Sequence, residues 1–366
     1  MTQQHARYAK LVALTLFLTF DLIVFGAFVR LTDSGLGCPD WPGCYAKFSP
    51  LQALDQIRAE EALRPDGAVT HFKAWIEMAH RYIAMILGML CIAIAVLAYR
   101  WRNQFQTSPK LAAFILFWIC VQGAFGALTV TLKLMPIIVT LHLLGAMLLL
   151  SCLAWLHVGL NIKNTKGSSP PLGTEPSLTS SPAMKDKLHS ATLWTQVLLV
   201  MTVLQIALGG WVSTNYATLA CSEYPLCQGV WIPPMDFAKG FALWRDLGTT
   251  ATGEWLPFAA LTAIHWVHRN TYWLVIAVAV LTLIRLKTLQ KNESYFAWLI
   301  NYRIGIMGVL TAQFLTGITN VVFQWPLIAA VLHNAGAALM VLVLVRLIAR
   351  LVLSKENPII NKQISP

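Results

Sequence analysis

Four histidines inside apolar segments occupy matched places in two halves of this chain. His142 and His333 each lie twenty residues after a glutamine, Gln122 and Gln313, and each opens the phrase His-x-x-Gly-Ala, ending at Gly145-Ala146 and Gly336-Ala337. His80 and His268 are each followed by arginine, Arg81 and Arg269. A polar ring is costly inside a membrane unless it has a task, and imidazoles at repeated positions suit the two faces of a metalloporphyrin iron. The pattern predicts His80 with His142, and His268 with His333, as two pairs of axial ligands. His5, His71, His157 and His189 lack repeat partners and fall at helix ends or in loops, outside the predicted site.

Other side chains extend this chemistry. Arg81 and Arg269 follow ligand candidates, and a guanidinium fork suits a porphyrin propionate. Arg30 ends the first apolar run, where propionate binding and snorkelling to headgroups are both open. The glycines one turn after His142 and His333 leave room for a porphyrin or a neighbouring helix. Three residues before the His-Arg pair the halves diverge: one has Glu77, the other His265. Positions i−3 and i share a helix face, so Glu77 should overhang whatever His80 holds. A carboxylate costs up to about 2.5–3.5 kcal/mol at the bilayer centre. Near the outer surface a solvated carboxylate is one reading; the other, from an acid over one site of two, is a division of duties, chemistry in the first half and electron carriage in the second. Asp21, midway along the first run, is a lone intramembrane acid that fits either a protonated packing residue or a proton path.

The elements that must position these groups are membrane spans. Of 366 residues, 57% are hydrophobic and 12% charged, with a mean hydropathy of +0.61; that excludes an ordinary soluble globule. Apolar runs of spanning length fall at 11–30, 74–99, 111–132, 139–160, 192–212, 261–284, 304–323 and 328–351. Backbone groups in hydrocarbon must pair within their own segment, which predicts an all-α polytopic membrane protein with eight transmembrane helices. Lysine and arginine gather before Leu11, around 100–110, in 161–191, in 285–303 and after Val345, which places these segments and both termini in the cytoplasm. The loops at about 31–73 and 213–260 carry more acids than bases and belong outside. The +11 charge thus reports orientation, with no nucleic-acid motif among the bases. Only ten residues precede the first span, without a leader pattern, so a bacterial cytoplasmic (inner) membrane is the expected location.

The repeat sets the domain plan. Gly26-Ala-Phe-Val29 aligns with Gly209-Gly-Trp-Val212 at an offset of 183, which also superposes Cys38 on Cys221 and Cys44 on Cys227; the offset grows to 188 at the His-Arg pairs and 191 at His142 and His333. Two four-helix bundles with a pseudo-two-fold relation are expected, at 1–162 and 191–352, with a cytoplasmic linker at 163–190 and a tail at 353–366. The stretch Gly167 to Pro182 has the composition of a mobile tether. Cys91, Cys120 and Cys152 fall inside spans as packing residues. Cys38/Cys44 and Cys221/Cys227 form two C-x5-C pairs in the outer loops, where disulfides are the default and a redox relay the alternative. Zinc is disfavoured for want of a C-x2-C pattern or nearby histidines.

The run from Gly26 through Arg30 to Cys38-Pro-Asp-Trp-Pro-Gly-Cys44, then Glu77-Met-Ala-His80-Arg81-Tyr82 and their second-half counterparts, resembles the heme A synthase family over about residues 8–350. The resemblance implies oxidation of the C8 methyl of heme O, through hydroxylated intermediates, to the formyl of heme A for terminal oxidases. By motif, His80 and His142 would face substrate heme, Glu77 would be the catalytic carboxylate, and His268 and His333 would ligate heme b and its iron. Cys38/Cys44 matches the family's outer-loop disulfide, while Cys221/Cys227 looks like a pair found in some members. Implied partners are heme O, membrane lipid, a heme O synthase and further copies of the chain. A di-heme electron carrier and a heme transporter are the competing classes; Glu77 opposite His265 separates an enzyme from the carrier, and a transporter would release heme unaltered.

Overall fold

The structure, a computed structural model, describes residues 3–65, 67–102, 109–164, 182–291 and 296–355. Among them are ten helices and no sheet: α1 (Gln3–Leu31), α2 (Leu54–Leu63), α3 (His71–Arg100), α4 (Pro109–Thr131), α5 (Pro136–Asn164), α6 (Pro182–Thr214), α7 (Phe237–Gly240), α8 (Phe258–Lys291), α9 (Leu299–Val322) and α10 (Leu327–Lys355). Eight of these are long and apolar enough to cross a membrane, as expected; they contain six of the eight apolar runs, and the runs 111–132 and 304–323 each extend one residue past the helix end. α2 and α7 are short additions within the long loops. The helices outlast the runs because polar residues continue them beyond hydrocarbon: α6 starts at Pro182, ten residues before its apolar run. The stretch from Gly167 to residue 181 lies outside the described residues.

Local chemistry explains the helix ends. Pro109, Pro136 and Pro182 occupy first-turn positions, where a missing N–H costs nothing and φ is already helical. Thr70 caps α3 by accepting the Lys73 N–H at 3.2 Å. The turn from α4 to α5 uses Lys133 and Leu134 at positive φ, and the turn from α9 to α10 uses Gln324 and Trp325, the same positions at the offset of 191. Inside the helices, Thr19, Thr195 and Thr202 donate to the carbonyl four residues back, which satisfies their hydroxyls in an apolar interior.

Packing closes two rings. α1 meets α3, α3 meets α4, α4 meets α5 and α5 returns to α1; α6, α8, α9 and α10 close in the same order. Between the rings α5 packs on α10, α1 on α10 and α5 on α6. The first apolar core includes Ile206, Ala338 and Val341 beside Leu150 and Leu153, so it crosses the junction between rings. The second, around Leu286, Leu344 and Leu347, belongs to the latter half. The histidine-bearing helices are therefore held by core on both flanks.

Candidate functional site

Each of the four repeated histidines faces a glycine on an adjacent helix. A Cβ on Gly26 would stand 3.0 Å from His80 Nε2, and one on Gly209 would stand 2.9 Å from His268 Cε1. A Cβ on Gly126 would lie 3.7 Å from His142 Cε1, and one on Gly317 would lie 3.5 Å from His333 Cε1. The His80 and His268 rings have their room because α1 and α6 present bare backbone there, while a Cβ on α4 or α9 would make ordinary contact with His142 or His333. The His80 ring also hydrogen-bonds the backbone of Leu22, and the His268 ring that of Gln205, again equivalent positions. His80 and His142 lie near enough to interact electrostatically, and so do His268 and His333.

The pair in the second half lines a cavity of about 210 Å³. Its wall includes Gly209, Gly317, Gln205 and Arg269, with Leu143 and Met147 contributed by α5 of the first half. Thr316 Oγ1 lies 2.9 Å from His333 Nδ1, and Gln205 Nε2 lies 3.2 Å from His268 Nδ1. Three buried polar atoms of the lining have no partner among the described residues: Arg269 Nη2, Gln205 Oε1 and Asn320 Oδ1. Paired imidazoles, glycine-cleared approaches and an unsatisfied guanidinium N–H fit a porphyrin with an acidic substituent. In the first half His142 Nδ1 and Gln122 Nε2 are the buried atoms without a partner.

The His-x-x-Gly glycines have another task. A Cβ at Gly145 would overlap the Gln122 amide, and one at Gly336 would overlap that of Gln313. Gln313 Nε2 donates to the His333 carbonyl at 2.9 Å. Of the two roles left open for these glycines, the neighbouring helix takes the space, and the repeated glutamines are its contents. The glycines beside the rings are the other four, which spacing alone did not single out.

Glu77 is buried, and both its oxygens are engaged. Oε2 accepts the Cys38 backbone N–H at 2.9 Å, and Oε1 pairs with Arg81 Nη2. Arg81 Nη1 donates to the carbonyls of Gly43 at 2.6 Å and Asp40 at 2.8 Å, so this guanidinium clamps the loop of Cys38 and Cys44. The second half repeats the design with one change. His265 Nδ1 accepts the Cys221 N–H at 3.3 Å, and Arg269 Nη1 donates to the carbonyls of Glu223 at 2.9 Å and Leu226 at 3.1 Å. Where Arg81 Nη2 has Glu77, Arg269 Nη2 has nothing.

Both cysteine pairs are disulfides. Cys38, Cys44 and Cys221 are fully buried and Cys227 nearly so, and in both loops an acid holds the turn. Asp40 accepts the N–H groups of Tyr45 and Ala46 at 2.6 Å each, and Glu223 accepts that of Gly229. Of the free thiols Cys91 is buried as expected, but Cys120 is exposed. Asp21 is likewise on an outward face of α1.

Arg30 neither snorkels nor lines the cavity. Its Nη2 donates to the Ser213 carbonyl at 2.6 Å, its Nη1 pairs with Asp33 at 3.1 Å, and it lies 4.1 Å from the centre of the Tyr216 ring. Burial and the Asp33 carboxylate push the Tyr216 phenol above its usual range, against the opposing pull of Arg30. Sequence reading also passed over Arg245. It is buried in the long loop between α6 and α8, donates to Asn215 Oδ1 at 2.6 Å and to the Thr249 carbonyl at 3.1 Å, and burial lowers its pKa. Two histidines without a repeat counterpart do local work: His5 Nε2 lies 3.2 Å from the Leu160 carbonyl, and His71 accepts from Trp75 Nε1 at 3.3 Å.

Eight spanning helices with paired interior histidines define a multi-pass membrane protein whose interior is built around imidazole. The chain belongs to the cytochrome oxidase assembly protein family COX15-CtaA, whose pattern it matches over residues 9–345. It is 37% identical over 336 residues to the heme A synthase of Shewanella oneidensis, covering 92% of this chain and 94% of that one. It is also similar to the heme A synthases of Halalkalibacterium halodurans, 26% identical over 85% of this chain and 86% of the relative, and of Beijerinckia indica subsp. indica, 25% identical over 88% and 86%.

Proposed function

We propose that this protein is a heme A synthase, oxidising the C8 methyl of heme O to the formyl of heme A for assembly of a terminal oxidase. The observation that carries the reading is the duplicated pair of imidazoles, each ring faced by a glycine, in a chain of this family. His80 and His142 hold the substrate heme, and His268 and His333 hold a resident heme b. Bound heme b supplies a one-electron carrier. The residues around it orient it: Arg269 Nη2, unpartnered and on the cavity wall, receives a propionate, and Gln205 and Thr316 fix the two ring planes.

Glu77 is the residue that makes one half reactive. Its carboxylate stabilises positive charge at the carbon being oxidised, or takes a proton from attacking water. His265 fills the same structural place without that charge, which suits a carrier half.

The two bundles are related by a pseudo-two-fold axis along the membrane normal, between α5 and α10. Support comes from contacts that join residue i to residue i+183, as an axis requires: Arg30 Nη2 bonds the Ser213 carbonyl, and the Tyr216 hydroxyl bonds Asp33 at 2.6 Å. Both termini are cytoplasmic and the disulfide loops external, on the distribution of lysine and arginine, in a bacterial inner membrane. The test is to supply heme O to the purified protein with an electron acceptor and to extract the pigment. Masses of the alcohol and the aldehyde support the reading; heme O recovered unchanged, with heme b present, overturns it in favour of a carrier or transporter.

A further inference from the structure

The geometry points to the two disulfide loops being seated in the lipid interface, with Phe48 and Trp231 as the side chains that enter the leaflet beside the long loops. These residues are equivalent, four positions after Cys44 and Cys227, and they are 88% and 69% exposed. Large aromatic side chains so open would be a liability in water, and two at one repeat position point to an apolar medium. The backbone places both at the required depth. The Phe48 carbonyl accepts from the Tyr82 hydroxyl at 2.5 Å, and the Trp231 carbonyl accepts from Trp266 Nε1 at 3.0 Å.

Tyr82 and Trp266 lie eleven and eight residues into α3 and α8. At 1.5 Å per residue these are roughly 16 and 12 Å from the loop ends of the helices, less the lean of helical side chains back toward the N-terminus. α3 has 30 residues and α8 has 34. Their lengths, about 45 and 51 Å, exceed a hydrocarbon core of about 30 Å by roughly 7–10 Å at each end. The two carbonyls therefore sit near the hydrocarbon boundary, where aromatic rings concentrate.

The lipid-facing surface continues from each contact. Met85, Ile86 and Met89 follow Tyr82 on its own face of α3 and are 46–60% exposed. Trp231 lines a groove with Trp266 and Trp273, and Trp273 is 52% exposed one face-repeat further down α8. Each loop is thus fastened twice, to its ligand-bearing helix through Arg81 or Arg269 and to lipid through the aromatic ring.

Benzoylphenylalanine placed at 48 or at 231 of the full chain, in phosphatidylcholine and phosphatidylglycerol nanodiscs, tests this by photocrosslinking and mass spectrometry. Position 117, mid-α4 and 60% exposed, is the lipid control, and position 63 on α2, 78% exposed, is the water control. Lipid adducts at both sites within about threefold of position 117 and about tenfold above position 63 are expected. Yields at the level of position 63, adducts at one site alone, or crosslinks to a second protein chain would overturn the proposal. Hydroxyl-radical footprinting of the unsubstituted protein in the same discs is the second measurement: Phe48 and Trp231 should be protected, and oxidation at the rates of free phenylalanine and tryptophan would sink the idea.

Discussion

Glu77 Oε2 accepts the backbone N–H of Cys38 at 2.9 Å, so the acid one turn before His80 is tied to the first cysteine of the outer loop. His265 makes the same bond to Cys221 at 3.3 Å. The exchange of Glu for His between the halves therefore keeps the acceptor and changes only the charge. In the first half that charge meets Arg81; in the second its absence leaves Arg269 Nη2 without a hydrogen-bond partner among the described residues.

Replacing Glu77 with Gln tests charge apart from shape. Gln retains an acceptor for Cys38 and loses the one for Arg81, whose bonds to the Asp40 and Gly43 carbonyls remain, so the loop should persist and heme should still bind. Formyl product should fall by about 10²-fold or more, the scale on which a positioned acid or base acts. Product mass and bound heme, measured on the same preparation, decide it, and full activity would remove Glu77 from the reaction.

The converse change, His265→Glu, supplies Arg269 with the partner that Arg81 has. A charge-assisted bond of about 1.5–3 kcal/mol should then compete for Nη2 and weaken binding of the resident heme by roughly 10–100-fold. Titration of heme into the apoprotein reads this out. Unchanged affinity would mean that Arg269 holds no anion.

Gly209→Ala puts a methyl 2.9 Å from His268 Cε1, against a ring wedged between α6 and α8. Overpacking of this kind costs about 1–3 kcal/mol. Because the ring is the softest neighbour, the expected loss is in heme content and in the bis-histidine absorption bands, while helix content by circular dichroism stays within error. Gly26→Ala should do the same to substrate binding in the first half, where the methyl would stand 3.0 Å from His80 Nε2. Gly88→Ala, which meets nothing within 4 Å, is the control.

The disulfides are predicted to be structural. With Cys38 and Cys44 fully buried, a soluble thiol reagent should reduce the folded protein far more slowly than the unfolded one. The Cys38→Ser, Cys44→Ser pair should destabilise the outer loop by about 2 kcal/mol, the closure entropy of so short a loop. Thermal unfolding and reduction kinetics check both halves of this statement. Rapid reduction without unfolding would favour the redox relay.

Composition and the eight apolar runs were enough to set the all-helical class and the number of spanning helices, because hydrophobicity is a property of the chain read in order. The four repeated histidines were legible as a set for the same reason: duplication marked them without any contact being known. Side-chain partnership was not legible. The bonds of Arg81 to the carbonyls of Asp40 and Gly43 came from the fold, and so did the choice at Gly145 between a porphyrin and a neighbouring helix, where Gln122 takes the space. Gly26 and Gly209 gained their meaning only when α3 and α8 brought a histidine against them. These relations join residues tens of positions apart whose spacing carries no signal, so packing of one helix on another had to decide them.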